Sequence, residues 1–305
     1  MRELYYITKR NSLIFLRDRS AVFFSMLSMF IVLALMVIFL GDMNSEGILS
    51  TMEACSSTGN VTAEDKEHVS ALIGMWTLAG VLAVNAVTVT LTVLGSMVRD
   101  ETEKRIMAFY VTPVKRRKLA FGYILSAWMI GSLMCLLTLA AGEVYFMIKG
   151  YGLLSAAALL KLSGMILCNT FTFSAVGYLM ALFVHSDGAW SGMLTIVGTL
   201  SGFVGGIYLP VSQLTKTVQT VIKRLPNLHG ASMMRKVCTA DLLKETFAGL
   251  PDEFVSGVSE EMGITVSMHN SLVDTGWQIL ILLAYAALAI VCAVIITNRR
   301  KLNDR

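Results

Sequence analysis

Charge is scarce in this chain. Only 15% of its 305 residues are Asp, Glu, Lys or Arg, against about a quarter in soluble domains. No GxxxxGK[ST] phosphate loop occurs, so the chain is not expected to hydrolyse nucleotide itself. Its four histidines (His68, His185, His229 and His269) are scattered. They lack the paired spacing of a zinc site, and no metal centre is expected. No GxSxG elbow is present. Residues 185–187 bring His, Ser and Asp together, but neighbours in sequence do not build a catalytic triad. These absences argue against an intramembrane enzyme.

What fills the chain is apolar. Hydrophobic residues make up 55% and the mean hydropathy is +0.67. Six uncharged runs (21–40, 69–98, 119–142, 162–184, 188–209 and 275–298) reach the roughly 20 residues that a bilayer core requires. A soluble core has too little interior to bury six of them. The placement of charge orients the spans, because Lys and Arg favour the cytoplasmic side of short loops. Five lie up to Arg19, seven between Arg99 and Lys118, and four from Arg299 onward. The short loops assigned outside hold one (42–68) and two (143–161). Both termini are therefore expected inside, around six spans. The first run follows a basic segment but has no Ala-x-Ala-like site close behind, so it reads as a retained signal anchor. Cys135, Cys168 and Cys292 fall within spans as packing residues. Cys55 and Cys238 fall outside, where they either pair in a disulfide or remain free thiols.

Residues 1–20 are amphipathic and basic, which suggests a helix lying in the inner membrane surface. The second run is about ten residues longer than a minimal span, so it should tilt or project beyond the lipid. In the fifth, Gly198, Gly202 and Gly206 recur every fourth residue. Small residues at that interval let two helix backbones approach, within one subunit or between two. Residues 211–225 form an amphipathic helix ended by Pro226. Together with 228–274, which carries acidic clusters and a β-like run at 264–268, it is expected to make a small outer subdomain over about 210–274. Within the spans, polar groups are few. Asn85, Asn169 and Glu143 are candidates for lining a substrate path. Asn85 and Asn169 could equally bond helix to helix, and Glu143 could mark the membrane edge.

Residues 99–118 form a charged island between two apolar runs. Helix formers at 101–110 bring Ile106, Phe109 and Tyr110 to one side. Thr112 is placed to cap a new helix with Pro113 at its first position, and Lys115 to Lys118 should reach lipid phosphates. A solvated loop explains the basic residues but not the apolar ones among them.

These residues resemble a known family. The series Glu101, Lys104-Arg105, Thr112-Pro113-Val114, Arg116 and Gly122 looks like the loop of type-2 ABC exporter permeases. Residues 9–11 and 17–19 resemble their amphipathic N-terminal segment. The stretches 206–210 (GIYLP) and 225–229 (LPNLH) resemble the motifs after their fifth span. There are departures: Ile106 or Met107 stands where Gly is common, Tyr123 replaces a frequent Lys, and the segment between spans five and six is longer than in many relatives. The resemblance implies an all-α membrane protein with six transmembrane helices, an N-terminal interfacial helix, a cytoplasmic coupling helix, the outer subdomain and a tail at 299–305. It implies a subunit, homodimeric or paired with a close homologue, in a prokaryotic plasma membrane among lipids. Each copy would dock a separate ATPase that binds ATP and Mg, with no nucleic acid involved. Docking would fall on residues 100–111, through Asp100, Glu101, Glu103, Lys104, Arg105, Ile106, Phe109 and Tyr110. Pairing would use spans one and five, which suits the Gly198, Gly202 and Gly206 face. The expected activity is export of an amphipathic drug, lipid or peptide by alternating access. A non-transporting sensor or immunity subunit that binds a peptide outside is the other reading.

Overall fold

The computed structural model describes residues 2–35, 49, 63–112, 114–206, 208, 214–248, 250–268 and 271–299. Helix α1 (Arg2–Arg17) turns Ile7, Thr8, Asn11, Ser12 and Phe15 inward, a spacing of three and four that gathers them on one face. The expected amphipathic helix is present, and that face rests on protein while Tyr5 and Tyr6 stay exposed. The chain then bends at Asp18, whose carboxylate accepts the Ala21 N–H at 3.0 Å and so caps α2 (Arg19–Leu35).

Helix α3 (Ala63–Thr102) has 40 residues, about 60 Å at 1.5 Å per residue, roughly twice the hydrocarbon thickness. It is the hub, packed against α1, α2 and five later helices. A five-residue helix, α4 (Ile106–Tyr110), crosses to α5 (Arg116–Lys149), and α6 (Ala156–Ala181) and α7 (Asp187–Val204) follow. Ser155 and Ser186 cap the last two, each accepting the N–H three residues on. Beyond them come α8 (Lys216–Ile222), α9 (Pro226–Cys238), α10 (Ala240–Thr246) and α11 (Asp252–Glu261). A two-stranded antiparallel hairpin, β1 (Ser267–Met268) and β2 (Ser271–Leu272), leads into α12 (Thr275–Arg299).

By length and composition, four helices among the described residues can cross a membrane, over Asp65–Thr102, Arg116–Lys149, Ala156–Ala181 and Thr275–Asn298. The described part of α2 has 17 residues and α7 has 18. The first and fifth of the six expected spans therefore rest on the apolar sequence runs.

Four local expectations change. The fifth run does not stay helical to residue 209: α7 stops at Val204, because Gly206 turns left-handed (φ 63°) and the Tyr208 ring folds back over Gly202. Thr112 does not cap the next helix, which starts three residues beyond the position expected; its hydroxyl donates back to the Phe109 carbonyl at 2.7 Å. Lys115 is the residue before α5, and Pro113 lies outside the described residues. The amphipathic helix expected over 211–225 is described only as Lys216–Ile222, and Pro226 opens α9 at its first position rather than only closing what precedes it. Finally, part of the stretch expected to form the outer subdomain packs against the long helices. Helix α9 is buried along most of its length between α3, α6 and α12, with Ala231, Met234 and Cys238 joining a core with Leu78, Leu82 and Ile166.

Candidate functional site

The charged island breaks where one helix was expected. α3 runs to Thr102, and Lys104 then takes a left-handed backbone (φ 58°), a conformation that costs a non-glycine residue energy. Residues 100–111 thus form a helix end, a turn and α4. Ile106 is buried in the main core, and Phe109 packs against that core half-buried. Met107 and Val111 point out, Val111 at 87% exposure. Glu103, Lys104 and Arg105 are exposed, with Glu103 and Arg105 paired to each other. Glu101 is half-buried. The side chain of Tyr110 lies outside the described part of the structure.

Asp100 faces inward. Its side chain is 3% exposed, and Arg10 of α1 holds it in a two-pronged ion pair at 2.5 and 2.9 Å. Tyr123 of α5 donates to the same carboxylate at 2.6 Å. Arg10 also lies over the Phe109 ring, 5.3 Å from its centre. The hydrogen bond and charge of Asp100 hold the guanidinium more firmly protonated than an ordinary arginine. Asp100 therefore braces α1, α3 and α5 and does not present itself to a partner. Nearby, Lys118 pairs with Glu3 at 2.8 Å, so it grips α1 rather than standing free at the lipid. The sequence motifs touch Arg10 and Tyr123 but give no sign that they meet Asp100, since spacing carries no signal for a contact 90 residues apart.

A groove of about 270 Å³ opens between α2 and α3, lined by Ala21, Phe24, Ser25, Asn85, Thr88, Val89 and Thr92. No ionisable side chain is among them. Asn85 reaches Thr138 at 3.5 Å. The hydroxyls of Thr88 and Thr92 donate to their own helix at 3.2 and 2.8 Å. Each hydroxyl has one proton to give, so these two offer acceptor lone pairs to whatever enters. Of the three proposed path residues, only Asn85 lines this groove. Glu143 accepts the Leu154 N–H at 3.3 Å and so fastens the α5–α6 loop. Asn169 is sealed between α6 and α9, pressed on Gly230, and its amide has no hydrogen-bond partner among the described residues.

The glycine face of α7 is also redistributed. Gly198 faces Thr88 of α3, which a Cβ there would just reach, Gly202 lies under Tyr208, and Gly206 makes the helix-ending turn. Gly188 and Gly192 are the exposed ones, with nothing among the described residues within 4 Å of where a Cβ would sit.

At the far end of α3 from the island, Arg235 of α9 is fully buried. Its guanidinium stacks on Trp76, 4.5 Å from the ring centre. It donates to the carbonyls of Gly206 at 3.0 Å, Met262 at 3.3 Å and Gly263 at 3.4 Å. These carbonyls lie just beyond the C-terminal ends of α7 and α11, where helix dipoles favour a cation. Burial still lowers its pKa to about 9. Cys238 is a buried free thiol whose pKa burial pushes up to about 12; Cys55 lies outside the described residues. No cluster of His, Cys, Asp and Glu able to hold a metal occurs among the described residues.

Residues 58–297, more than half of the chain, match the model of the family described as ABC-2 family transporter protein. The chain belongs to that family. It is a multi-pass membrane protein of the permease type, the class of subunit that forms the membrane part of an ABC transporter. No curated protein matches it.

Proposed function

We propose that this chain is the membrane subunit of an ATP-driven exporter in a prokaryotic plasma membrane. In this reading two such chains pair, both termini are cytoplasmic, and each chain docks a separate ATPase that binds ATP and Mg. Nucleotide-driven movement of the ATPases switches the path between inward and outward access. The substrate is amphipathic and uncharged where it meets α3: a drug, lipid or peptide bearing hydrogen-bond donors for Thr88 and Thr92. Export as the direction, and alternating access as the mode, are carried over from the family resemblance.

The observation that carries the docking reading is the two-sidedness of α4. One side is anchored by Ile106 and Phe109, while Met107 and Val111 face out beside Glu103, Lys104 and Arg105. This exposed apolar pair, rimmed by charge, is the surface that a docked partner would cover, with apolar groups at the centre and polar ones at the rim. Asp100 drops out of that surface because it is buried. The test is purification of the chain in mild detergent. A phosphate-loop ATPase should co-purify with the native chain and be lost from Met107→Asp with Val111→Asp. Retention of the ATPase by the double variant removes α4 as the dock.

A peptide-binding sensor is the second reading. It is favoured by an outer cleft of about 280 Å³ whose lining includes Gln219, Lys223, Glu260 and Glu261, charges of both signs. A native chain that purifies without any ATPase supports it over the first.

A further inference from the structure

We infer that Arg10 is the positioning residue that ties movement of α4 to the transmembrane bundle. The inference rests on the reading that an ATPase docks on α4. One guanidinium makes two kinds of contact that are separable in geometry. Its edge gives two N–H groups to Asp100, at the end of α3. Its face covers Phe109, on α4. A planar fork does both at once, whereas an ammonium is a point donor without a face. Asp100 is in turn fixed to α5 by Tyr123. Arg10 itself sits on a helix clamped to α5 twice, by Glu3 with Lys118 and by Ile7 against Gly122, where a Cβ would overlap the isoleucine. A push on Phe109 therefore acts on Arg10, and through it on the ends of α3 and α5. Thr92, in the groove, lies two turns along α3 from Asp100, about 12 Å at the helical rise. A rigid helix carries a displacement over that distance. The same contacts explain why α1 is basic at this position: the partner is a buried carboxylate rather than a lipid phosphate.

The test uses the purified complex with its ATPase and Thr92→Cys as a reporter in the groove. The rate of labelling by a fluorescent maleimide is measured without nucleotide and with ATP plus vanadate. The same chain carrying threonine at position 92 supplies the background from its native cysteines. Thermal unfolding of each variant is recorded alongside. With Arg10 intact, the labelling rate changes on adding nucleotide. In Arg10→Gln and Arg10→Lys the ATPase stays bound but that change is lost. A purely structural role would lower thermal stability and shift labelling equally in both nucleotide states, leaving their ratio as in the native complex. A native ratio in Arg10→Gln overturns the inference. Should that variant fail to assemble, Phe109→Leu is read in its place: it keeps the ion pair and removes only the ring under the guanidinium. Loss of the nucleotide-dependent change there supports the inference, and a native ratio overturns it. Failure of the functional reading looks different: no ATPase accompanies even the native chain, and the inference falls with it.

Discussion

Single residues buried away from water carry several of this protein's commitments. His229 lies inside α9, with Nε2 2.9 Å from the Lys223 carbonyl. Burial lowers its pKa, and the charge of Lys236 acts in the same direction. The folded state therefore binds fewer protons than the unfolded one near the ordinary value of 6.5. Stability from this group is complete above that value and is lost as pH falls through it. Thermal unfolding in detergent should show a lower midpoint at pH 5.5 than at pH 7.5, and His229→Gln should reduce the difference. Arg235 poses the opposite problem, a charge kept without a carboxylate among the described residues. Arg235→Ala removes the donor to three carbonyls and opens a cavity beside Trp76, a loss on the order of 3 kcal/mol. Arg235→Met fills the space without needing solvation and should cost less; the two midpoints compared by the same assay decide it. Arg235 was not singled out by the sequence, and His229 entered only among the scattered histidines and as the end of the LPNLH stretch, because their burial comes from helices converging, and convergence has no period along the chain.

Helices are where sequence patterns and structure agree best, and where the exceptions are instructive. The runs at 69–98, 119–142, 162–184 and 275–298 each lie on a long helix, because apolar length alone dictates that outcome. Helix ends were less legible. The break after Thr102 and the early stop of α7 depend on left-handed residues at 104 and 206. α9 was hidden because polar residues interrupt its apolar ones: Asn227, His229, Ser232 and Arg235 are buried beside Leu228, Ala231 and Met234, and each bonds a group that only the fold supplies, such as Ser232 with the Ile264 carbonyl at 2.7 Å. The glycines of α7 illustrate the consequence for experiments. Gly202→Leu, the obvious substitution for a pairing test, collides with Tyr208 and disturbs its own chain. At Gly192 an added Cβ meets nothing among the described residues. If α7 pairs with a second copy, Gly192→Leu weakens dimerisation in cross-linking while leaving the monomer's thermal midpoint unchanged. At α1, Gly122→Leu overpacks the contact with Ile7 and should loosen that helix by about 1–3 kcal/mol, read as faster proteolysis after Arg10 or Arg17.

Taken as a whole molecule, the chain divides its work along the axis of α3. One end carries the island, with α1 and α4 bound to it through Arg10, Asp100 and Phe109. The middle offers a groove with Asn85, Thr88 and Thr92. The other end is covered by α9 and α10 and tied down at Arg235. In the proposed reading the energy source is another chain, and α4 is the surface proposed to receive it. The most direct measurement is site-specific photo-cross-linking from position 107 in intact cells, using a photoreactive amino acid in place of Met107. The account predicts one dominant adduct, to a cytoplasmic protein bearing a phosphate loop, weakened by Val111→Asp. Cross-links to lipid alone, or to the outer face of another protein, would contradict it.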